Sequence, residues 1–123
     1  MTKFLKLITA LIVAAFAVGS LTACSTAEPM DMTNIAAVVD VRTAEEFATG
    51  HLDGALNFDV QSAAFVEQVS SLDPAADYVV YCRSGNRSTA AIESMQALGF
   101  TGTLTNGGAV ANASTLTGIE IVQ

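Results

Sequence analysis

The chain has 123 residues, twelve acidic side chains against five basic ones, and a net charge of −7. That length holds a single domain, and the charge excludes a nucleic-acid or anionic-lipid surface held by electrostatics. The sequence has no Cys-x-x-Cys pair and no cluster of His, Cys, Asp or Glu at metal-ligand spacing, so neither a dithiol site nor a metal or other cofactor is expected.

The first element is a leader. Lys3 and Lys6 flank a basic start, Leu7 to Val18 is almost wholly apolar, and Leu21-Thr22-Ala23-Cys24 follows, which is the order of an export signal. The apolar run is short of the ~20 residues a membrane span needs. Leu-Thr-Ala-Cys resembles the bacterial lipoprotein box, which implies a signal peptide over 1–23, lipidation of Cys24 and anchoring of an exported protein to a membrane. Ordinary cleavage, releasing a soluble protein, is the alternative. Without the leader the chain has no lysine; Arg42, Arg83 and Arg87 face twelve carboxylates, a net charge of −9. Cys82 is then the one thiol without an intramolecular partner, the pattern of a reactive thiol or an intermolecular bond.

Residues 24–33, small, polar and broken by Pro29, read as a tether, and the domain runs over 34–123. Ala37 to Val41 reads as a buried strand, apolar on both faces. Thr43-Ala44-Glu45-Glu46 fits a capping box, with Phe47 anchoring a short helix. Gly50 to Ala55 is expected to turn and Leu56-Asn57-Phe58 to extend. Ser62 is placed to cap a second helix carrying Ala63, Val66 and Val69 on its buried stripe, ended by Leu72-Asp73-Pro74. Tyr78 to Tyr81 is a run of β-formers. Ala91, Ile92, Met95 and Leu98 recur at helical spacing before Gly99, a C′ stop. Thr103 to Thr105 is a short strand, Asn106-Gly107-Gly108 a turn, and Ile119 to Val122 a closing strand; Ala109 to Thr117 is ambiguous. The alternation predicts an α/β domain with a mainly parallel sheet flanked by helices on both faces.

The chemistry concentrates at Cys82-Arg83-Ser84-Gly85-Asn86-Arg87-Ser88, where a strand ends in a cysteine and a short loop leads into a helix. Successive backbone N–H groups there form an anion nest, the helix start adds partial positive charge, and both favour the thiolate. Two of the three arginines outside the leader lie in this loop, which points to a small anion as ligand.

The sequence resembles rhodanese domains, of the small, exported, single-domain kind. Asp40-Val41-Arg42-Thr43-Ala44-Glu45-Glu46-Phe47 with Gly50-His51-Leu52-Asp53-Gly54-Ala55-Leu56-Asn57 is similar to the family's N-terminal signature, residues 82–88 to its active-site loop, and Gly107-Gly108 to its double glycine. The tryptophan that often follows the double glycine is missing; Asn112 lies about there, and the region before Asp40 is short. The resemblance implies a sulfurtransferase in which Cys82 takes a sulfane sulfur from a thiosulfate-like anion or a persulfide and passes it to a thiol or cyanide. Arg83, Ser84, Gly85, Asn86, Arg87 and Ser88 would surround the donor. Asp40 and Arg42 are read as a supporting ion pair, His51 as a hydrogen-bonded turn residue, and Glu45 and Glu46 as a capping, solvent-facing pair. Four residues separate Cys82 from Arg87, one fewer than in the related cell-cycle phosphatases, so phosphatase or arsenate chemistry is the weaker enzymatic alternative. A membrane-tethered module that binds an anion or a protein without turnover is the alternative from another class.

Overall fold

The computed structural model describes residues 28–123. The leader and Cys24 lie outside these residues. The strand at the centre, β4 (Asp77–Cys82), is buried from Tyr78 to its end. It pairs in parallel with β1 (Ile35–Asp40) on one side and β5 (Leu104–Ala109) on the other. β3 (Leu56–Asn57) extends the sheet beyond β1, giving the order β3-β1-β4-β5, parallel throughout.

Both faces of this sheet are covered, which is why its two central strands, β1 and β4, read as apolar runs. On one face Val39, Val41, Tyr78, Val80 and Cys82 meet α2 (Phe65–Val69) and α3 (Asn86–Ala97) through Phe65, Val69, Ala91 and Met95. On the other, Val38, Val79 and Tyr81 meet α4 (Val110–Thr117) through Ala113. Each fully buried Val contributes ~1.5–3 kcal/mol by leaving water. The alternation fixes register: Cys82 shares the α3 face because Tyr78 and Val80 do.

The chain leaves β1 toward one edge of the sheet and leaves β4 toward the other. The crevice beyond the carboxyl ends of β1 and β4 is therefore the topological switch point, where open α/β sheets place ligands. Asp40 and Cys82 are the last residues of those two strands.

Several expectations need correction. The second helix is not capped by Ser62, whose hydroxyl accepts from Ala64 N (3.1 Å) in a preceding turn; its N-cap, Ala64, has no side-chain cap. Its buried residues are Phe65 and Val69, whereas Ala63 is exposed and Val66 is 49% exposed. Phe65 and Val69 stand at i and i+4, so the buried stripe runs through the large Phe65 and turns Val66 outward. In α3, Leu98 is exposed and Phe100 takes the buried place beyond Gly99. Gly85 is the N-cap of α3, and Ser88 lies within its first turn. Asn106-Gly107-Gly108 is not a turn but part of β5, bulged so that Val80 faces Asn106 and Tyr81 faces Gly108. A Cβ at Gly107 would lie 3.1 Å from those of Tyr81 and Ala113, so glycine there permits α4 to close on the sheet. The ambiguous stretch is α4, and Asn112 Nδ2 donates to Gly107 O (2.7 Å). His51–Leu52, expected as turn, forms β2, and the closing strand shortens to β6 (Ile121–Val122); the two make a separate antiparallel pair. Within residues 24–33, Met30 N donates to Leu116 O (2.7 Å), and Met30 and Met32 pack on the α4 side of the core.

Candidate active site

The site grows from the ends of β1 and β4. Asp40 is fully buried and accepts from Arg42 through its backbone N–H (2.9 Å), Nε (3.0 Å) and Nη2 (2.6 Å). Arg42, 5% exposed, also donates through Nη2 to Gly50 O (2.7 Å) and lies 5.8 Å above the Tyr81 ring. Burial disfavours its charge, but the bonds and charge of Asp40 more than offset that, and its pKa is raised. Asn57 Nδ2 donates to Arg42 O (2.9 Å), fixing the turn after β1. Burial raises the pKa of the Tyr81 phenol, whose oxygen accepts from Leu52 N (3.0 Å). The Asp40–Arg42 pair therefore ties the end of β1 to Gly50, with Asp40 wholly buried and Arg42 reaching the wall of the cleft beside the loop.

After Thr43 the capping box forms as its spacing implies: Thr43 Oγ1 accepts from Glu46 N (3.2 Å) and Glu46 Oε1 from Thr43 N (3.4 Å), starting α1 (Ala44–Thr49). His51 stacks on Phe47 at 3.6 Å, with Nδ1 2.9 Å from Phe47 O.

Across the crevice, Cys82 has no exposed surface. Gly85, at φ +95°, turns its N–H onto Cys82 Sγ (2.9 Å), a conformation that side chains rarely adopt. Ser88 Oγ lies 3.5 Å from the sulfur. Burial pushes the thiol up, but the Ser88 hydroxyl and the amides of Ser88, Ser84 and Gly85 favour the thiolate more, and the pKa falls below its ordinary value. Arg83, Ser84 and Asn86 are exposed.

Two features were not foreseen from the sequence. The first is Glu46, which takes Arg87 in a bidentate pair, Nη1 to Oε1 at 2.7 Å and Nη2 to Oε2 at 2.9 Å. It thus ties α1 to the cysteine loop instead of only facing solvent. The second is Asn106, whose side chain reaches Ser88 Oγ (2.7 Å) from the β5 bulge. The Asn-Gly-Gly pattern signals a break in regular structure and does not reveal what the asparagine touches. An open cleft of about 490 Å³, lined by Arg42, Glu45, Glu46, Thr49 and Arg83, lies beside the loop; Cys82 does not line it. Among the described residues Glu45 and Arg83 make no ion pair, while Glu46 and Arg42 are already engaged.

Hydrogen bonding to Arg87 is the main reason the Glu46 carboxyl falls from 4.5 to about 2, with burial opposing and Thr43 assisting. Its folded pKa lies below its unfolded one, so the pair stabilises the fold fully above the unfolded value and loses that contribution as pH drops toward 2. Both side chains are about a quarter exposed, which limits the effect to ~0.2–1 kcal/mol. Glu46→Gln is expected to lower the melting temperature by a few degrees at pH 7 and by much less near pH 2. A gap that stays constant over that range would show that the charge is not responsible.

The family profile described as the rhodanese-like domain matches residues 22–113, well over half the chain. The chain belongs to the rhodanese-like domain family. Among solved structures, a rhodanese with anions from Escherichia coli is 25% identical, with a TM-score of 0.57 over 71% of this chain and 96% of that one. A rhodanese-like domain protein from Staphylococcus aureus is 28% identical, with a TM-score of 0.56 over 71% and 81%. Curated relatives include thiosulfate sulfurtransferase 18 of Arabidopsis thaliana, 42% identical over 50% of this chain and 54% of that protein. Thiosulfate sulfurtransferase GlpE of Pseudomonas putida is 40% identical over 53% and 57%. The chain spans little more than half the length of these two relatives. The mainly parallel sheet with helices on both faces is thus a rhodanese-like fold, as its sequence pattern implied.

Proposed function

We propose that this rhodanese-like domain is a sulfurtransferase that moves a sulfane sulfur through a Cys82 persulfide. The observation that carries this reading is the Gly85 N–H aimed at Cys82 Sγ at 2.9 Å, in a loop whose other amides also favour the thiolate. The Cys82 thiolate attacks the outer sulfur of thiosulfate. A new S–S bond forms, the old one breaks, and sulfite departs with its electron pair, leaving the persulfide anion in the amide nest. A thiolate or cyanide then attacks the outer sulfur, and the Cys82 thiolate is released. Since the nest stabilises the anion throughout, no separate general base is needed, and the kinetics are ping-pong. Arg83, exposed at the cleft, is the residue proposed to meet the oxyanion end of the donor, because Arg87 is committed to Glu46.

Cys82 is fully buried, so the exposed turn from Arg83 to Asn86 must shift for a donor to reach it. That burial favours a second reading, a tethered module that binds an anion or a protein without turnover. Intact mass measurement after incubation with thiosulfate separates the two. The sulfurtransferase gains the mass of one sulfur atom and loses it to reductant; no gain from thiosulfate or from a low-molecular-weight persulfide sinks this proposal.

The order of basic, apolar and Leu-Thr-Ala-Cys segments supports an exported protein, held at a membrane outside the cytoplasm by lipid on Cys24. Cys24→Ser is expected to release it from membranes or stall its processing; unchanged retention with normal processing would remove the anchor.

A further inference from the structure

Around Cys82 the hydrogen-bond donors can be counted against the acceptors. Asn106 Oδ1 accepts from Gly108 N (2.9 Å), which fixes the amide orientation, and lies 2.7 Å from Ser88 Oγ. Asn106 Nδ2 donates to Thr89 Oγ1 (2.9 Å) and reaches Gly85 O (3.3 Å). Gly85 O already accepts from Thr89 N (3.1 Å) and Thr89 Oγ1 (2.8 Å), enough for its two lone pairs. Ser88 has one hydroxyl proton and three neighbours able to take it: Gly85 O at 2.9 Å, Asn106 Oδ1 at 2.7 Å and Cys82 Sγ at 3.5 Å. The shortest contact, to the one oxygen that still lacks a second donor, is Asn106.

We propose that Asn106 is a positioning residue that holds the Ser88 proton away from Cys82, so that the resting thiol donates to Ser88 Oγ and the thiolate must draw that proton back. When Cys82 ionises, the hydroxyl turns from Asn106 to the sulfur, and Asn106 Oδ1 keeps only Gly108 N. Asn106 therefore restrains the nucleophile, and removing it should make the thiolate easier to form. The charged groups around the loop are Arg83, Arg87 with its partner Glu46 and nearby Asp59, Glu45 at the cleft, and the Asp40–Arg42 pair at the end of β1; β5 carries none. None of them changes with Asn106, so their influence cancels between variants.

The test is titration of the thiolate by ultraviolet absorbance in the full chain, with the Cys82→Ser trace subtracted. Its readout is ionisation, so it stands whether or not sulfur is transferred. Asn106→Ala should lower the Cys82 pKa by up to about one unit, a tenfold gain in thiolate worth ~1.4 kcal/mol. Asn106→Asp keeps both acceptor bonds but adds negative charge and grips the Ser88 proton harder, so its pKa should rise. A loop merely loosened by substitution would lose the Gly85 contact and shift both variants upward. In a Ser88→Ala background, Asn106→Ala should have no further effect. Shifts of equal sign in the two variants, or a shift that persists without Ser88, would overturn the proposal.

Discussion

Cys82→Ser is expected to gain no sulfur from thiosulfate and to lose turnover by roughly 10³-fold or more, the scale of removing a nucleophile on which a covalent route depends. The substitution changes one atom, and its neighbours suit an oxygen: Gly85 N–H can still donate and Ser88 Oγ can still pair. The fold should therefore survive with a loss of ~1 kcal/mol or less, set by the smaller atom in a buried site. A serine hydroxyl stays protonated at neutral pH, however, and the nest has no anion to stabilise. Turnover is read from sulfite release and loading from intact mass, each beside a thermal melt. Residual loading of the serine protein would move the sulfur carrier elsewhere in the chain. Anion binding that survives the change, with no loading of the wild-type protein, would favour the binding module.

Arg42→Ala is expected to strike stability instead. It leaves the Asp40 carboxylate fully buried and without its ion-pair partner, and breaking a buried pair from one side costs ~3–5 kcal/mol. For a domain of this size the melting temperature should fall by on the order of 20 °C. The bond to Gly50 O goes as well, so the turn before β2 loosens with it. Adding Asp40→Ala to Arg42→Ala should recover part of the loss, because the orphaned charge disappears. If Arg42→Ala melts within a few degrees of the parent, the pair is not what secures the ends of β1 and β4. If it melts normally but fails to load sulfur, Arg42 acts on the donor and not through the fold.

What could be read in advance follows the range of the interaction. β1, β4 and the Thr43 box were legible because apolar runs and capping depend on residues within a few positions of one another. The strand–loop–helix form around Cys82 was legible because it depends on local backbone geometry. Asn106-Gly107-Gly108 misled because a β-bulge and a turn call on the same residues: glycine supplies positive φ in both, here at Gly108. α4 gave no clear signal because its β-branched and threonine-rich stretch has weak helix propensity and no side-chain cap; packing of Ala113 and the buried Thr117 makes it a helix. Met30 and Met32 looked like tether because nothing near them in sequence shows the surface they dock on. Glu46–Arg87 and Ser88–Asn106 were illegible for the same reason, since each joins elements the sheet brings together.

The Glu46–Arg87 pair spans 41 positions in the chain. Closing a loop of that length costs on the order of 3 kcal/mol in chain entropy, several times what a part-exposed pair returns. The pair cannot nucleate anything. β1 and β4 must find each other first through their apolar residues, and only afterwards does α1 clasp the cysteine loop. Removing the clasp with Glu46→Gln should hasten unfolding and leave the folding limb of the chevron where it was. The crevice is accordingly expected to close after the sheet has formed: a chain can already have its sheet while the Cys82 loop still lacks its tie to α1.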